Sequence, residues 1–181
     1  MELPAFKYHP EPLKTGSISA SDAECACCGE RRGYVYNGPV YAKGELDSQL
    51  CPWCIGDGAA HEKFEADFTD TSGIGSYGAW TSVAPDIIRE VAQRTPGFSG
   101  WQQERWWTHC GDAAEFLGQA GAREVIDAGP ALIKRLREDL GWPRGGAFDA
   151  YIGSLRKEDG PTAYLFRCRH CGQFGGYSDS E

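Results

Sequence analysis

Two Cys-x-x-Cys pairs, Cys25 with Cys28 and Cys51 with Cys54, constrain this chain more than any other feature. Four thiolates at these spacings suit the tetrahedral demand of one zinc ion, and the span between the pairs can hold a short hairpin. Cys27 lies inside the first pair and stays outside the set. Gly29 follows Cys28, the second cysteine of the first pair, and lets the backbone turn tightly under the metal, the form of a zinc knuckle in the string CACCG. The second pair, CPWC, falls where helical signals begin, so its thiolates sit at the end of a helix dipole that favours anions. Knuckle, hairpin and helix in that order predict a treble-clef-like element over about residues 24–68.

A related arrangement closes the chain. Tyr164-Leu165-Phe166, then Cys168-Arg169-His170-Cys171-Gly172, then Gln173 to Tyr177 reads as strand, knuckle and returning strand, a zinc-ribbon hairpin at about 163–178. Cys110 is the natural third ligand. His109 is the first choice for the fourth, with His170 or a water as alternatives; the remaining possibility is that no second metal binds and these are buried thiols. Eight cysteines, six of them in such pairs, fit metal thiolates in a reducing compartment better than disulfides.

Between these motifs the signals are mixed. Pro4, Pro10 and Pro12 make residues 3–15 an extended arm that Phe6, Tyr8 and Leu13 can dock. Tyr34-Val35-Tyr36 and Pro39-Val40-Tyr41 flank Asn37-Gly38 and predict a hairpin. From Asp47 onward a helix carries Ala60, Phe64 and Phe68 on one stripe. Residues 69–79 read as a surface loop, and Pro85 opens a helix that Thr95-Pro96-Gly97 stops. Trp101, Trp106 and Trp107 read as core or a dry strand face. Asp112 with Glu115 fits a capping box and predicts a short helix. Glu124 to Ala128 reads as a strand or connection, followed by helices from Pro130 to Leu140 and from Phe148 to Lys157. The expected class is α+β, with cysteine-rich treble-clef and zinc-ribbon-like elements packed with a helical middle, about 83–158, into one compact domain.

The net charge of -8 and sequence pI near 5.0 disfavour a nonspecific grip on nucleic acid or anionic lipid. No apolar run is long enough to span a bilayer, and the first residues lack a signal-peptide pattern, so a cytoplasmic protein is expected. Four thiolates saturate zinc, which makes the first site structural. The set at Cys110, Cys168 and Cys171 can keep an open position, so a metalloenzyme built there is one alternative; the pattern of a zinc deaminase is missing, since no His-x-Glu opens at His109. A thiol redox role for CPWC is weaker, because the CACC pair has a simpler use. A zinc-ribbon nucleic-acid module is the other alternative, resting on Arg167 and Arg169.

The strings Phe6-Lys7-Tyr8-His9-Pro10, CACCG, LCPWCIGDG from Leu50 to Gly58, His109-Cys110-Gly111-Asp112 and the final Cys168-x-x-Cys171-Gly172 resemble the bacterial CbrC family over nearly the whole chain. That resemblance implies a cysteine-rich, zinc-binding protein linked to tolerance of a nuclease colicin, and it supplies no catalytic residues. Combined with the acidic stretch from Glu45 to Asp70, it predicts an immunity-type protein. Such a protein would meet a basic nuclease toxin domain through Glu62, Glu65, Asp67 and Asp70.

Overall fold

The computed structural model describes residues 2–77, 80–143 and 145–181. Within them the chain is α+β, with small antiparallel sheets, short helices and cysteines gathered at two places. The arm over residues 3–15 is irregular, as its prolines require, and Phe6 and Tyr8 are buried. Strand β1 (Ile18–Ala20) follows and pairs antiparallel with β2 (Tyr34–Tyr36). This corrects the hairpin expected around Asn37-Gly38. Pro39 has no N–H to give to a return strand. Asn37 turns back instead, its N–H to the Ser17 carbonyl at 2.8 Å and its amide to Ser19 Oγ at 2.9 Å. Tyr41 bridges to Asp67. The first knuckle therefore lies in the loop between β1 and β2.

The helix expected to run from the second cysteine pair through Phe68 is two helices, α1 (Pro52–Gly56) and α2 (Ala59–Phe64). Gly58 at φ 88° turns the chain between them, and Glu65, also left-handed, ends α2. Phe68 is still fully buried, but from an extended segment whose N–H bonds the Ala92 carbonyl. It packs with Phe6, Ile18, Tyr36 and Ile55 around the first cysteine cluster. Burial of each such side chain contributes about 1.5–3 kcal/mol.

Helix α3 (Pro85–Arg94) starts at its proline as expected. The loop before it contains one 3₁₀ turn (Thr71–Gly73) and a bridge from Ile74 to Trp106; Gly78 and Ala79, the end of the expected loop, lie outside the described residues. Trp106 and Trp107 belong to the core, whereas Trp101 is 37% exposed.

The helix expected after Asp112 does not form. Strands β3 (Thr108–His109) and β4 (Asp112–Ala113) make a tight hairpin, and β5 (Glu115–Ala120) follows directly. Cys110 at φ 56° and Gly111 at φ 74° supply the two positive angles that a type I′ hairpin turn needs. Strand β5 buries Phe116, Gly118 and Ala120, and a bulge between Phe116 and Gly118 directs Phe116 into the main core and Ala120 toward the helices. It pairs with β6 (Thr162–Arg167), which pairs with β7 (Phe174–Asp179), all antiparallel. Phe98 stacks on Phe116 at 3.9 Å between centroids, and Trp106 and Phe166 complete this main core.

Between β5 and β6 the chain makes α4 (Ala122–Asp127), α5 (Pro130–Asp139) and α6 (Gly146–Ser154). Helix α4 replaces the strand or connection expected at Glu124 to Ala128. Val125 and Ile126 are strand formers in isolation, but Glu124 reaches back to the Gly121 N–H at 3.0 Å and Val125 packs on Leu132 and Leu136. Helix α6 stops at Ser154, three residues short of Lys157. No helix among the described residues is long and apolar enough to cross a membrane.

Candidate metal centres

The two Cys-x-x-Cys-Gly segments fold alike. In the first, the Gly29 N–H bonds the Cys25 carbonyl at 2.7 Å and the Cys25 N–H bonds the Glu30 carbonyl at 3.0 Å. In the second, the Gly172 N–H bonds the Cys168 carbonyl at 3.0 Å and the Cys168 N–H bonds the Gln173 carbonyl at 2.8 Å. Gly29 and Gly172 both take φ near 70°, at 71° and 72°, the left-handed conformation that closes such a turn at least cost on glycine.

Cys25, Cys28, Cys51 and Cys54 converge. Cys51 caps α1, with Pro52 at the first helical position, which turns Cys54 back toward the knuckle. The sulfurs of Cys25 and Cys54 are 3.9 Å apart, those of Cys28 and Cys51 3.9 Å, and those of Cys51 and Cys54 3.6 Å. A tetrahedron of sulfurs about 2.3 Å from a zinc ion has edges of about 3.8 Å, so the donor set fits that ion. The Cys51 N–H also donates to Cys25 Sγ at 3.2 Å. Lys63 of α2 holds the knuckle from outside, donating to the carbonyls of Ala26 at 3.0 Å and Cys27 at 2.8 Å. Nothing in the spacing of the sequence pointed to that brace.

The thiols of this cluster cannot all ionise alone. The Cys51 thiol and neighbouring backbone N–H groups bring Cys25 down to about 4. Its bond to Cys25 then raises Cys51, and burial raises Cys54. A Cys25 thiolate beside the reluctant thiols of Cys51 and Cys54 is an arrangement that a divalent cation would complete. Cys27 stays outside the set, its thiol raised by burial.

The second cluster gathers His109, Cys110, Cys168 and Cys171. The β3–β4 turn presents two adjacent residues to one point, so His109 Nδ1 lies 3.2 Å from Cys110 Sγ and 3.5 Å from Cys171 Sγ. Zinc–nitrogen and zinc–sulfur bonds of about 2.0 and 2.3 Å give an edge of about 3.5 Å, so this donor set fits as well. His170 is directed elsewhere, its Nε2 3.0 Å from Asp112 Oδ2. Asp112 Oδ2 also takes Arg169 Nη1 at 2.9 Å, and Oδ1 takes the Ala113 N–H at 2.9 Å and the Tyr8 hydroxyl at 2.7 Å. Burial opposes ionisation of Asp112, but the Tyr8 and His170 donors outweigh it and hold the carboxyl below its usual range. Burial likewise opposes ionisation of Cys168, which the Cys171 N–H and His109 nevertheless bring down to about 6. Desolvation and the sulfurs of Cys171 and Cys168 push Cys110 up to about 11. Trp107 stacks on His109, 5.2 Å between centroids and 15° between planes, and fixes the imidazole. Cys110 and Cys171 are exposed, whereas three of the four sulfurs in the first cluster belong to buried residues.

The acidic residues expected to form one contact face are not equivalent. Glu62 and Glu65 are exposed, and Glu65 pairs with Lys43 at 2.7 Å. Asp67 is half-buried beside His61 at 3.2 Å, and Asp70 caps the 3₁₀ turn through the Ser72 N–H. The buried carboxylate of this region is Glu104, which composition could not single out. It takes the Tyr41 hydroxyl at 2.8 Å and the Asp70 N–H at 3.1 Å.

A family model described as "Uncharacterised protein family (UPF0167)" matches residues 3–180. UPF0167 proteins of Mycobacterium bovis and Mycobacterium tuberculosis are each 47% identical over 180 residues, spanning 98% of this chain and 94% of theirs. A UPF0167 protein of Pseudomonas aeruginosa is 45% identical over 172 residues, 94% of this chain and 93% of its own. No solved structure matches. These matches correct the CbrC assignment, and with it the immunity-type reading and the nuclease-toxin partner that followed from it.

Proposed function

This chain belongs to the uncharacterised protein family UPF0167, and from its own geometry we propose that it is a zinc-stapled scaffold with two structural ions, one on Cys25, Cys28, Cys51 and Cys54 and one on His109, Cys110, Cys168 and Cys171. The observation that carries this reading is the match of the sulfur separations, 3.6 to 3.9 Å, to the edge of a zinc–sulfur tetrahedron. Thiolates with one imidazole suit zinc among the common divalent ions. The finer fold reading follows: a treble-clef-like first element, and a β6–knuckle–β7 hairpin of zinc-ribbon type. Thiolate sites of this kind need a reducing compartment, so the cytoplasm is the proposed location.

In this reading the ions supply folding energy. With His109 as a fourth protein donor, the second site offers no vacant position for a water, which favours structure over metal catalysis there. The nucleic-acid alternative loses its basic patch, because Arg167 pairs with Glu115 at 2.7 Å and Arg169 with Asp112 at 2.9 Å. The test is zinc per chain by elemental mass spectrometry on protein purified without added metal. Two ions per chain, falling to one in Cys51→Ser and to one in Cys171→Ser, is the expected result. Metal-free folded protein, or a metal content that neither substitution changes, would overturn the reading.

A further inference from the structure

Arg105 stands between two surface cavities of about 250 Å³ each, both walled by Tyr77, Gln103 and Arg105 itself. Its side chain is half-buried and stacked on Tyr77, 3.7 Å from the ring centroid. Among the described residues its guanidinium makes no hydrogen bond or ion pair; its backbone N–H meets the Tyr177 hydroxyl at 3.1 Å, and Asp179 in the wall of one cavity lies within reach of its charge. By contrast Arg167 is satisfied by Glu115, Arg169 by Asp112 and Arg94 by the Gly56 carbonyl. A guanidinium carries five donors in a planar fork and strongly prefers an oxyanion partner.

The backbone beneath Arg105 is rigid. Trp106 N–H bonds the Gly73 carbonyl at 3.0 Å, and the two segments approach so closely that a Cβ on Gly73 would fall 2.6 Å from the Glu104 carbonyl. The fork itself rests on the Tyr77 ring.

The two cavities differ in chemistry. One adds Ser72, Gly73 and Ser76 to the shared wall and has no carboxylate among its described lining residues. The nearby Asp70 is engaged, by the Ser72 N–H at 2.8 Å and the Gln103 amide at 3.1 Å. The other cavity is lined by Gln102, Tyr151, Ser178 and Asp179, with Tyr151 and Ser178 joined at 2.9 Å. An anion is repelled beside Asp179, whereas on the serine side the nearest acid, Asp70, stands outside the lining with its oxygens turned to N–H donors. Hydroxyl groups find both donors and acceptors on the Asp179 side.

We propose that this double cleft binds a small phosphorylated polyol, with the phosphate on Arg105 and the Ser72–Ser76 side and the hydroxyls facing Gln102, Ser178 and Asp179. The two share three wall residues, and each, at about 250 Å³, lies just under the ordinary size of small-ligand pockets, about 300–1,000 Å³. The site is independent of the zinc reading, since none of its lining residues belongs to either cysteine cluster.

The test is calorimetric titration of the full-length, metal-loaded protein with glucose 6-phosphate, ribose 5-phosphate, inorganic phosphate and glucose. At least one sugar phosphate is expected to bind saturably and about tenfold or more tighter than inorganic phosphate, with glucose silent. Arg105→Gln is expected to weaken that binding by about tenfold or more with zinc content unchanged. Ser72→Asp, an exposed change that places a carboxylate on the anion side, is expected to abolish it and gives a second test should Arg105→Gln fail to fold. Silence with both sugar phosphates, no preference over inorganic phosphate, or undiminished binding in Ser72→Asp would overturn the proposal.

Discussion

The Tyr8 hydroxyl donates to Asp112 Oδ1 at 2.7 Å across 104 positions of sequence. The same carboxylate receives Arg169 and His170 from the second knuckle, so one buried acid fastens the N-terminal arm, the β3–β4 hairpin and the knuckle together. The second cluster is therefore supported by a residue from the far end of the chain.

Tyr8→Phe removes only that donor. A hydrogen bond to a charged, buried acceptor contributes about 1.5–3 kcal/mol, and a loss of that order is expected in urea unfolding of the metal-loaded protein. Zinc should leave the second site faster under a chelator and leave the first at its original rate. Equal rates at both sites in the variant and the wild type would separate the arm from the metal.

Cys54→Ser and Cys110→Ser should differ in kind. Cys54 is buried in the first core, where on the proposed zinc reading binding and folding are one process, with apparent contributions of about 10–16 kcal/mol in small zinc domains. That variant should lose the first module, seen as protease sensitivity before residue 70. Cys110 is exposed on a turn, and its serine variant should lose one ion while β1, β2 and α1 stay protected from hydrogen exchange.

Gly175 of β7 lies against the Trp107 indole, where a Cβ would overlap Cε2 and Cζ2. Because Trp107 also carries His109, it has no freedom to retreat. Gly175→Ala should cost about 2–3 kcal/mol, a fall in Tm of roughly 4–12 °C for a chain of this size. Gly153→Ala, in open space within α6, should instead raise Tm slightly, since alanine favours a helix by about 0.5–1 kcal/mol.

His9 is fully buried, with Nδ1–H donating to the Pro96 carbonyl at 2.7 Å and Nε2 2.7 Å from the Thr15 hydroxyl. Burial lowers its pKa to about 4, from 6.5 in the unfolded chain. Between those values the unfolded state binds the extra proton, so stability rises with pH. The contribution is fully present above about 6.5 and is lost as the pH falls toward about 4, to a limit of about 3 kcal/mol. Thiolate protonation adds to acid sensitivity, so the measurement is a difference: His9→Gln should show a shallower decline of stability from pH 6.5 to 5 than the wild type. Parallel declines would assign the acid response to the cysteines.

What could be read from the sequence was what is local. Cys-x-x-Cys-Gly dictates its own turn, so both knuckles were legible from their spacing, as were the helices opened by Pro85 and Pro130. His109-Cys110-Gly111-Asp112 was misread because Asp112 and Glu115 imitate a capping box, while the deciding fact, a cysteine in the left-handed region, leaves no mark in composition. Val125 and Ile126 suggested a strand because propensity is blind to the Leu132 and Leu136 side chains that α4 packs on. The Asn37-Gly38 signal lost to partners on β1 that lie far back in the chain. The Glu104 and Asp112 hubs depend wholly on long-range proximity.

The excursion from β5 to β6 is drawn shut at its neck. Ala120 pairs with Ala163, the Ala122 N–H bonds the Leu155 carbonyl at 3.1 Å, and the Arg156 N–H bonds the Pro161 carbonyl at 2.8 Å. Helices α4 to α6 beyond it pack on the sheet, where Phe148 and Leu136 share a core with Ala120, Ala163 and Phe174. Once a neck is closed, doubling the length of chain it subtends costs only about 0.6 kcal/mol of closure entropy. The outer turns between these helices can therefore lengthen at little entropic cost, while the faces that meet the sheet, with Trp80 bonded to Asp139 and Tyr151 to Ser178, stay fixed.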